Sequence, residues 1–217
     1  MDRLDEQREY YRQRAPEYDQ WWQARGQYAK SPEDEARWFA DVAEVERALD
    51  DFGPAGNVLE LAAGTGWWTR RLARHAQQVT AVDAAEETLA INQASASGHF
   101  GNVRYVTADI FSWKPPAAAF DVVFFSYWLS HVPADQLADF QQQVTAALRP
   151  GGRVFVVDSY HTERLPGDVQ QRVLNDGRRF EVVKRYWQPE ELEAIPEWRL
   201  AARVTSGQFI IYGCTTK

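Results

Sequence analysis

The stretch that most constrains this chain runs from residue 58 to residue 69 and reads VLELAAGTGWWT. Its apolar half is typical of a buried strand, and Gly64 and Gly66 follow before a helical pattern begins. A strand cannot turn sharply into a helix, with a ligand against its backbone, if a Cβ occupies the turn. A second short strand ends at Asp83. The pattern predicts a βα unit that holds a nucleotide-like ligand, with Asp83 accepting hydrogen bonds from ribose hydroxyls.

The same stretch departs from the glycine fingerprint of dinucleotide-binding proteins. Thr69 stands where the third glycine of a G-x-G-x-x-G sequence is expected. Trp67 and Trp68 fill the turn where a pyrophosphate needs open backbone amides. The chain also has no G-x-x-x-x-G-K-[ST] sequence, which argues against a nucleoside triphosphatase. These departures favour a ligand that contains adenosine but places no pyrophosphate at this turn.

Strand-like and helix-like segments alternate along most of the chain. We predict strands over 57–61, 79–82, 103–107, 121–125 and 153–158, and helices over 67–75, 86–97 and 134–148. Alternation of this kind predicts an α/β fold with a doubly wound, mostly parallel sheet. In the less regular C-terminal part we predict a helix over 168–175, a strand over 180–186, a helix over 189–194, and strands over 199–204 and 208–215.

From residue 58 to residue 66 the chain resembles the first motif of the class I S-adenosylmethionine-dependent methyltransferases, [VL]-L-[ED]-[LV]-x-x-G-T-G. Further family features recur in order at Asp83, at VTADI (106–110), at FDVVFFS (120–126) and at LRPGGRV (148–154). Such ordered matches are far more specific than one glycine motif. The resemblance implies a Rossmann-like, seven-stranded sheet with an antiparallel last strand. It also implies that S-adenosylmethionine is the methyl donor and S-adenosylhomocysteine the product.

The resemblance further implies where the methyl donor binds. Asp83 meets the ribose, Asp109 accepts the adenine amino group, Ile110 offers its backbone N–H to the ring, and Glu60 organises the glycine loop or meets the methionine ammonium. As alternatives, Asp109 caps its own turn and Glu60 is a surface acid. The expected cofactor-binding residues are Tyr11, Arg14, Tyr18, Glu60, Ala62, Gly64, Thr65, Gly66, Trp67, Asp83, Ala84, Asp109, Ile110, Ser126 and Tyr127.

Residues 1–52 precede the first strand and carry an aromatic cluster between Tyr10 and Trp22. Pro16 predicts the start of a second helix, and 32–52 has the pattern of an amphipathic helix packed on the sheet. Family members often use such a segment as a cover, and aromatic faces attract a sulfonium cation. We therefore expect a helical cap over 1–52 and a methyltransferase domain over 53–217, together one domain. The alternative is that these aromatic residues only dock a helix.

Methyl transfer to a hydroxyl or ammonium acceptor requires that the acceptor lose a proton. His131 follows the fourth strand and is the candidate general base, since its ordinary pKa of about 6.5 suits neutral pH. Ordering of its own loop is the alternative role. His161, after the fifth strand, is a second candidate, and it or Asp158 is placed to reach the acceptor. The expected substrate-binding residues are Trp22, Trp128, His131, Tyr160 and Tyr186.

The expected activity is in-line transfer of a methyl group to oxygen or nitrogen of a small molecule. An NAD-dependent oxidoreductase, which shares the βα unit, and a non-catalytic protein that binds S-adenosylmethionine are the alternatives. A protein or RNA methyltransferase is disfavoured by the acidic charge and by the lack of a recognition domain. The sequence after the fourth strand, SYWL (126–129), also lacks the Asn-Pro-Pro-Tyr type of signature for amino-group methylation in nucleic acids or glutamine.

Composition restricts the partners and the compartment. The net charge of −7 disfavours a nucleic-acid partner, since phosphate backbones are held by basic patches. A single cysteine, Cys214, excludes an intramolecular disulfide. We find no signal peptide and no apolar run of about 20 residues. We therefore expect a cytoplasmic monomer or homodimer with a small-molecule acceptor, no nucleic acid, no membrane and no metal.

Overall fold

A computed structural model describes residues 3–96, 99–162 and 168–215. These ranges form the strands β1 (Asn57–Leu61), β2 (Gln78–Asp83), β3 (Val103–Thr107), β4 (Phe120–Ser126), β5 (Leu148–Ser159), β6 (Val169–Val173), β7 (Arg179–Val183), β8 (Leu200–Val204) and β9 (Ile210–Thr215). They also form the helices α1 (Arg3–Arg14), α2 (Asp19–Trp22), α3 (Pro32–Phe52), α4 (Thr69–His75), α5 (Glu86–Ala96), α6 (Leu137–Ala147) and α7 (Pro189–Glu193). None of the helices in these ranges is long and apolar enough to cross a membrane.

Seven of the described strands form one sheet in the order β3-β2-β1-β4-β5-β9-β8. Strands β1 to β5 run parallel, whereas β9 runs antiparallel to both of its neighbours. The predicted Rossmann-like fold class, with its antiparallel last strand, is confirmed. Because the direction of winding reverses between β1 and β4, a crevice opens at their carboxyl ends, where open α/β sheets bind ligands.

The apolar run of β4 is explained by burial on both faces of the sheet. Val122 and Phe124 join the apolar cluster on one face, and Val123 and Phe125 join the cluster on the other. All four side chains are fully buried. A central parallel strand covered by helices on both sides is expected to be apolar at every position. The strand therefore holds its carboxyl end rigidly at the crevice.

Helix α3 begins and ends where the amphipathic pattern predicted, and it is tied to the turn between β8 and β9. The buried carboxylate of Asp41 accepts hydrogen bonds from the backbone N–H groups of Gly207 and Phe209 and from the hydroxyl of Thr205. A Cβ on Gly207 would lie 2.7 Å from an oxygen of Asp41. The buried charge thus receives the donors it needs.

The predicted helix over 168–175 is wrong. Strand β6 occupies this segment and pairs antiparallel with β7 in a separate two-stranded hairpin. The turn contains Asp176 and Gly177, and Gly177 adopts the left-handed backbone conformation with φ +88°. An Asp-Gly pair between apolar runs is a hairpin signal. The strand predicted over 180–186 is β7, which ends at Val183 and lies outside the main sheet.

The predicted second helix also differs. Pro16 lies in a 3-10 turn (Ala15–Glu17), and the helix that follows, α2, has only four residues. Helix α1, in contrast, is a regular helix that lies across the β6–β7 hairpin. Tyr10 is buried in a small apolar cluster with Phe180 and Val182 of that hairpin. The hairpin therefore holds α1 over the crevice.

Candidate functional site

A first cavity of about 690 Å³ lies at the carboxyl ends of β1, β2 and β4, beneath α1. It brings together most of the residues expected to bind the cofactor. Those that line it are Tyr11, Tyr18, Ala62, Gly64, Asp83, Ala84, Asp109, Ile110, Ser126 and Tyr127. Helix α1 adds Leu4, Gln7 and Arg8, which were not predicted, because a strongly polar helix carries no local sign of facing a ligand.

Asp83 at the end of β2 is held by the glycine turn. One carboxylate oxygen accepts the N–H of Gly64 at 2.8 Å, and the other accepts the N–H of Ala85 at 2.9 Å. Burial raises the pKa of Asp83, and these backbone donors oppose that rise. Each carboxylate oxygen has more than one lone pair. The carboxylate is therefore oriented by the protein and keeps acceptor capacity toward the cavity.

The loops that follow β1 and β4 are strained. Ala62 and Tyr127 adopt left-handed backbone conformations with φ +54° and +53°. Such residues cost about 1–3 kcal/mol each and concentrate at functional sites. Gly64 adopts φ +52°, which only glycine tolerates readily. The two strained residues, which no sequence pattern predicted, lie on opposite sides of the crevice and both line the first cavity.

Gly66 packs closely against helix α5. It lines neither the first cavity nor the two cavities that adjoin it, and a Cβ on it would lie 2.2 Å from Oδ1 of Asn92 in α5. Asn92 is buried and donates to the hydroxyl of Thr69 at 2.8 Å. Gly66 also adopts φ +89°. Gly66 thus clears space for α5 against the turn, and its contact with the cofactor stays a prediction.

A smaller third cavity, of about 270 Å³, shares Tyr18, Ala62 and Ser126 with the first. It holds three further residues expected at the cofactor, Glu60, Thr65 and Trp67, which do not line the first cavity.

Glu60 is buried beside this third cavity and accepts the hydroxyl hydrogen of Thr69 at 2.6 Å. Burial raises its pKa to about 8, and the hydrogen bond from Thr69 opposes that rise. Glu60 is thus not the surface acid of the alternative interpretation. Its contact with a methionine ammonium stays a prediction.

Trp22, expected at the substrate, lines the third cavity and not the second. Its side chain is only 2% exposed and stacks on Trp67 with ring centroids 5.1 Å apart. Trp68 and Trp38 pack against it from other sides. The two tryptophans of the glycine turn therefore anchor the N-terminal segment to the sheet, and a contact of Trp22 with the substrate stays a prediction.

Asp109, which lines the first cavity, has hydrogen-bond partners on two elements. It accepts the N–H of Phe111 in its own turn at 3.1 Å and a guanidinium hydrogen of Arg8 at 3.0 Å. The turn-capping interaction is thus present, and its contact with adenine stays a prediction. Arg8 ties α1 to this turn.

A second cavity of about 880 Å³ opens beside the first and shares Tyr11, Tyr18, Tyr127 and His131 with it. Three expected substrate-binding residues line it, His131, Tyr160 and Tyr186, together with His161. Arg14, expected at the cofactor, lines the second cavity and not the first, and Trp128, expected at the substrate, lines the first beside Phe111. Both roles stay predictions. The cations Lys30, Arg172 and Lys184 also line this cavity and were not predicted.

His131 is buried between β7 and α1. Nδ1 bonds to the carbonyl oxygen of Val183, and Nε2 lies 2.8 Å from the hydroxyl of Tyr11. Because a carbonyl oxygen only accepts, Nδ1 carries the ring hydrogen and Nε2 accepts from Tyr11. Burial, and then the charge of Lys184, lowers the pKa of His131 well below its ordinary value. The ring is therefore neutral, and its acceptor nitrogen is occupied by the hydroxyl of Tyr11.

Asp158 forms an ion pair with a buried lysine. Nζ of Lys184 lies 3.2 Å from a carboxylate oxygen of Asp158 and donates to the hydroxyls of Ser130 and Ser159. Asp158 also accepts the backbone N–H groups of both serines. It does not line the second cavity, so the idea that it reaches the acceptor is not supported. Lys184 directly follows an apolar strand, and nothing local in the sequence predicts its pairing.

The sequence of this chain is similar to known proteins over its central part. A family described as "Methyltransferase domain" matches residues 58–152. Phosphoethanolamine N-methyltransferase 3 of Arabidopsis thaliana is 32% identical over 104 residues, which are 47% of this chain and 21% of that protein. The ubiquinone biosynthesis O-methyltransferase of Coxiella burnetii (strain Dugway 5J108-111) is 30% identical over 46% of this chain and 42% of that protein. The chain thus spans about a fifth of the plant protein's length.

Similarity over the whole chain is found with a solved structure described as the DhpI-SAM-HEP complex. It is 32% identical, with a TM-score of 0.79, and the match covers 99% of this chain and 98% of that one. The similarity therefore includes the N-terminal helices and the β6–β7 hairpin, both of which lie outside the matched residues 58–152.

Proposed function

Because this chain belongs to the class I S-adenosylmethionine-dependent methyltransferases, we propose that it methylates oxygen or nitrogen of a small molecule held in the second cavity. When bound, S-adenosylmethionine supplies an electrophilic methyl group on its sulfonium. The observation that carries the proposal is the meeting of two cavities at Tyr11, Tyr18, Tyr127 and His131. Methyl transfer requires two ligands whose reacting atoms meet at one junction.

The first cavity fits the methyl donor. Its lining combines apolar side chains with a few convergent polar groups, which is usual for small-molecule sites. Asp83 offers oriented carboxylate oxygens to two ribose hydroxyls, and Asp109, which lines the same cavity, is assigned to the adenine amino group. Gly64 leaves the loop backbone open, with the ring of Tyr18 3.6 Å from the position that a Cβ would take. Tyr18 therefore closes the cavity over the glycine.

The chain contributes to the reaction chiefly by alignment. Holding donor and acceptor in line can lower the barrier by up to roughly 7–11 kcal/mol. For an acceptor that must lose a proton, Tyr11 and His131 provide a route: the phenol oxygen takes that proton while its own passes to Nε2 of His131. The hydrogen bond from Tyr11 to Nε2 already has this direction. His131 thus acts as a base through Tyr11.

Residues 1–52 act as a cap in this proposal. The guanidinium of Arg8 bonds to Asp109, and Gln7 bonds to the backbone of both Val183 and His131. These contacts join α1 to both sides of the crevice, so ligand entry requires α1 to move. Known relatives are named for N- and for O-methylation, and their names support either atom as the acceptor here.

The experiment is to measure binding and turnover with the purified protein. Calorimetry should show binding of S-adenosylhomocysteine and none of NAD. Mass spectrometry of reactions with S-adenosylmethionine and a panel of small amines, alcohols and acids should then detect a product heavier by one methylene. Binding of S-adenosylhomocysteine without any product across the panel would favour a non-catalytic binding protein.

A further inference from the structure

The second cavity is strongly basic, although the chain as a whole has a net charge of −7. Four permanently or ordinarily cationic residues line it: Arg14, Lys30, Arg172 and Lys184. No Asp or Glu lines it among the residues that the structure describes. A cavity that concentrates one sign of charge selects ligands of the other sign.

Of these cations, Arg14 has the greatest need for a counter-ion. It is 7% exposed, and its Nε has no hydrogen-bond partner within the described ranges. The rings of Tyr18 and Tyr28 lie 4.8 and 5.0 Å from its guanidinium carbon. Aromatic faces stabilise a cation without neutralising it. Burying a charge without a counter-ion costs free energy. We therefore expect this guanidinium to bind an anion that the described chain does not supply.

Only one of the four cations is paired with an acid inside the described chain. Lys184 is bonded to Asp158, whereas no described salt bridge includes Arg14, Lys30 or Arg172. Lys30 instead lies over the rings of Trp38 and Phe209, with Nζ 5.4 and 4.8 Å from their centroids. As far as the described residues go, the cavity wall therefore carries three uncompensated positive charges.

We propose that the acceptor carries a compact tetrahedral oxyanion, a phosphate or phosphonate monoester-type group, held in the second cavity by Arg14, Lys30 and Arg172. Lys184 lines the same cavity, but its three N–H donors go to Asp158, Ser130 and Ser159. This inference rests on the proposed function and names the chemical class of its substrate. The four cations come from α1, the segment after α2, the β6 strand and the segment after β7. They therefore line the cavity from separate elements.

The arrangement favours a dianion over a carboxylate. A carboxylate carries one charge on two coplanar oxygens, whereas a phosphate or phosphonate presents up to two charges on three oxygens pointing in different directions. Charge-assisted bonds to such oxygens are among the strongest that a protein makes, and Arg is well matched to them. Three uncompensated cations on separate elements match the tetrahedral group better.

The proposal is tested by calorimetry on the full chain saturated with S-adenosylhomocysteine. The probes are ethyl phosphate, ethylphosphonate, propanoate and 1-propanol. We expect the two phosphorus compounds to bind, propanoate to bind at least about tenfold more weakly, and 1-propanol not to bind. We also expect the affinity for ethyl phosphate to fall with added salt. Equal binding of propanoate and ethyl phosphate would overturn the assignment.

Variants connect the binding to these residues. Lys30→Gln combined with Arg172→Gln changes two partly exposed side chains and should weaken ethyl phosphate binding by about tenfold or more. Arg104→Gln, at an exposed position outside the cavities, is the control and should change nothing. Affinity for S-adenosylhomocysteine should be preserved in both proteins. If that affinity is intact and the double variant binds ethyl phosphate normally, the inference fails; if S-adenosylhomocysteine does not bind at all, the proposed function fails instead.

Discussion

The hydroxyl of Tyr11 donates to Nε2 of His131 across 2.8 Å, and so joins α1 to the loop after β4 at the junction of the two cavities. The opposite ring nitrogen is held by the carbonyl oxygen of Val183 in β7. One hydrogen-bonded chain thus connects the N-terminal helix, the main sheet and the β6–β7 hairpin at the point where methyl transfer would occur.

Replacement of Tyr11 by Phe tests the role of this phenol. We expect kcat for an acceptor that must lose a proton to fall by about 100-fold, because general-base assistance contributes about 10²–10⁴-fold. The ring remains, so affinity for S-adenosylhomocysteine should change little. Tyr10→Phe removes a neighbouring phenol that lines neither cavity and serves as the control. Unchanged kcat in the Tyr11 variant would exclude the proton route through His131.

Glu60 should make cofactor binding depend on pH. Its pKa of about 8 in the folded protein means that the carboxyl is largely protonated at pH 7. A methionine ammonium beside it would favour the ionised form, so binding should release a proton and tighten as pH rises from 6 toward 8. Calorimetry in buffers of different ionisation enthalpy measures this release. Glu60→Gln should abolish this proton release. If the variant releases as many protons on binding as the original protein, the methionine ammonium does not lie beside Glu60.

The same carboxyl should affect stability. Its folded pKa lies above the unfolded value of about 4.5, so the folded protein binds more protons than the unfolded chain between pH 4.5 and 8. Its contribution to stability is therefore fully present below pH 4.5 and is lost as pH rises through 8. Urea unfolding at several pH values across this range should show that the free energy of unfolding falls less steeply with pH in Glu60→Gln than in the original protein.

Asp83→Ala should weaken S-adenosylhomocysteine binding by roughly 1–3 kcal/mol, through loss of charged hydrogen bonds to the ribose and release of the Gly64 N–H. Titration calorimetry measures the change. Asp139→Ala, an exposed acid on α6, should leave the affinity as it is. Equal affinity in the two variants would contradict the ribose assignment.

Gly66→Ala distinguishes packing from ligand clearance. The variant places a Cβ against Asn92 and forces alanine to φ +89°, so we expect the free energy of unfolding to fall by about 1–3 kcal/mol. Adding Asn92→Ala should restore part of that loss, since it removes the clash but not the backbone strain. Normal stability combined with lost S-adenosylhomocysteine binding would instead show that Gly66 faces the ligand.

The segments that the sequence predicted well share one property: their signals are local. The apolar run of β4, the glycine turn after β1 and the amphipathic period of α3 each act within a few residues, and each lies where it was predicted. The β6 segment was predicted wrongly because a short run with valines at both ends fits the periodicity of a helix as well as that of a strand. The Asp-Gly pair that identifies the hairpin lies in the turn that follows the segment.

The sequence by itself thus determined the parallel sheet, the glycine turn and the acid that ends β2, because strand burial and turn geometry are encoded by neighbouring residues. Tertiary structure alone decided that Gly66 faces Asn92, that Trp22 stacks on Trp67, and that Arg14, Arg172 and Lys184 line one cavity. Those cations come from elements far apart in the chain. Only the docking of α1 and the β6–β7 hairpin on the sheet brings their charges together.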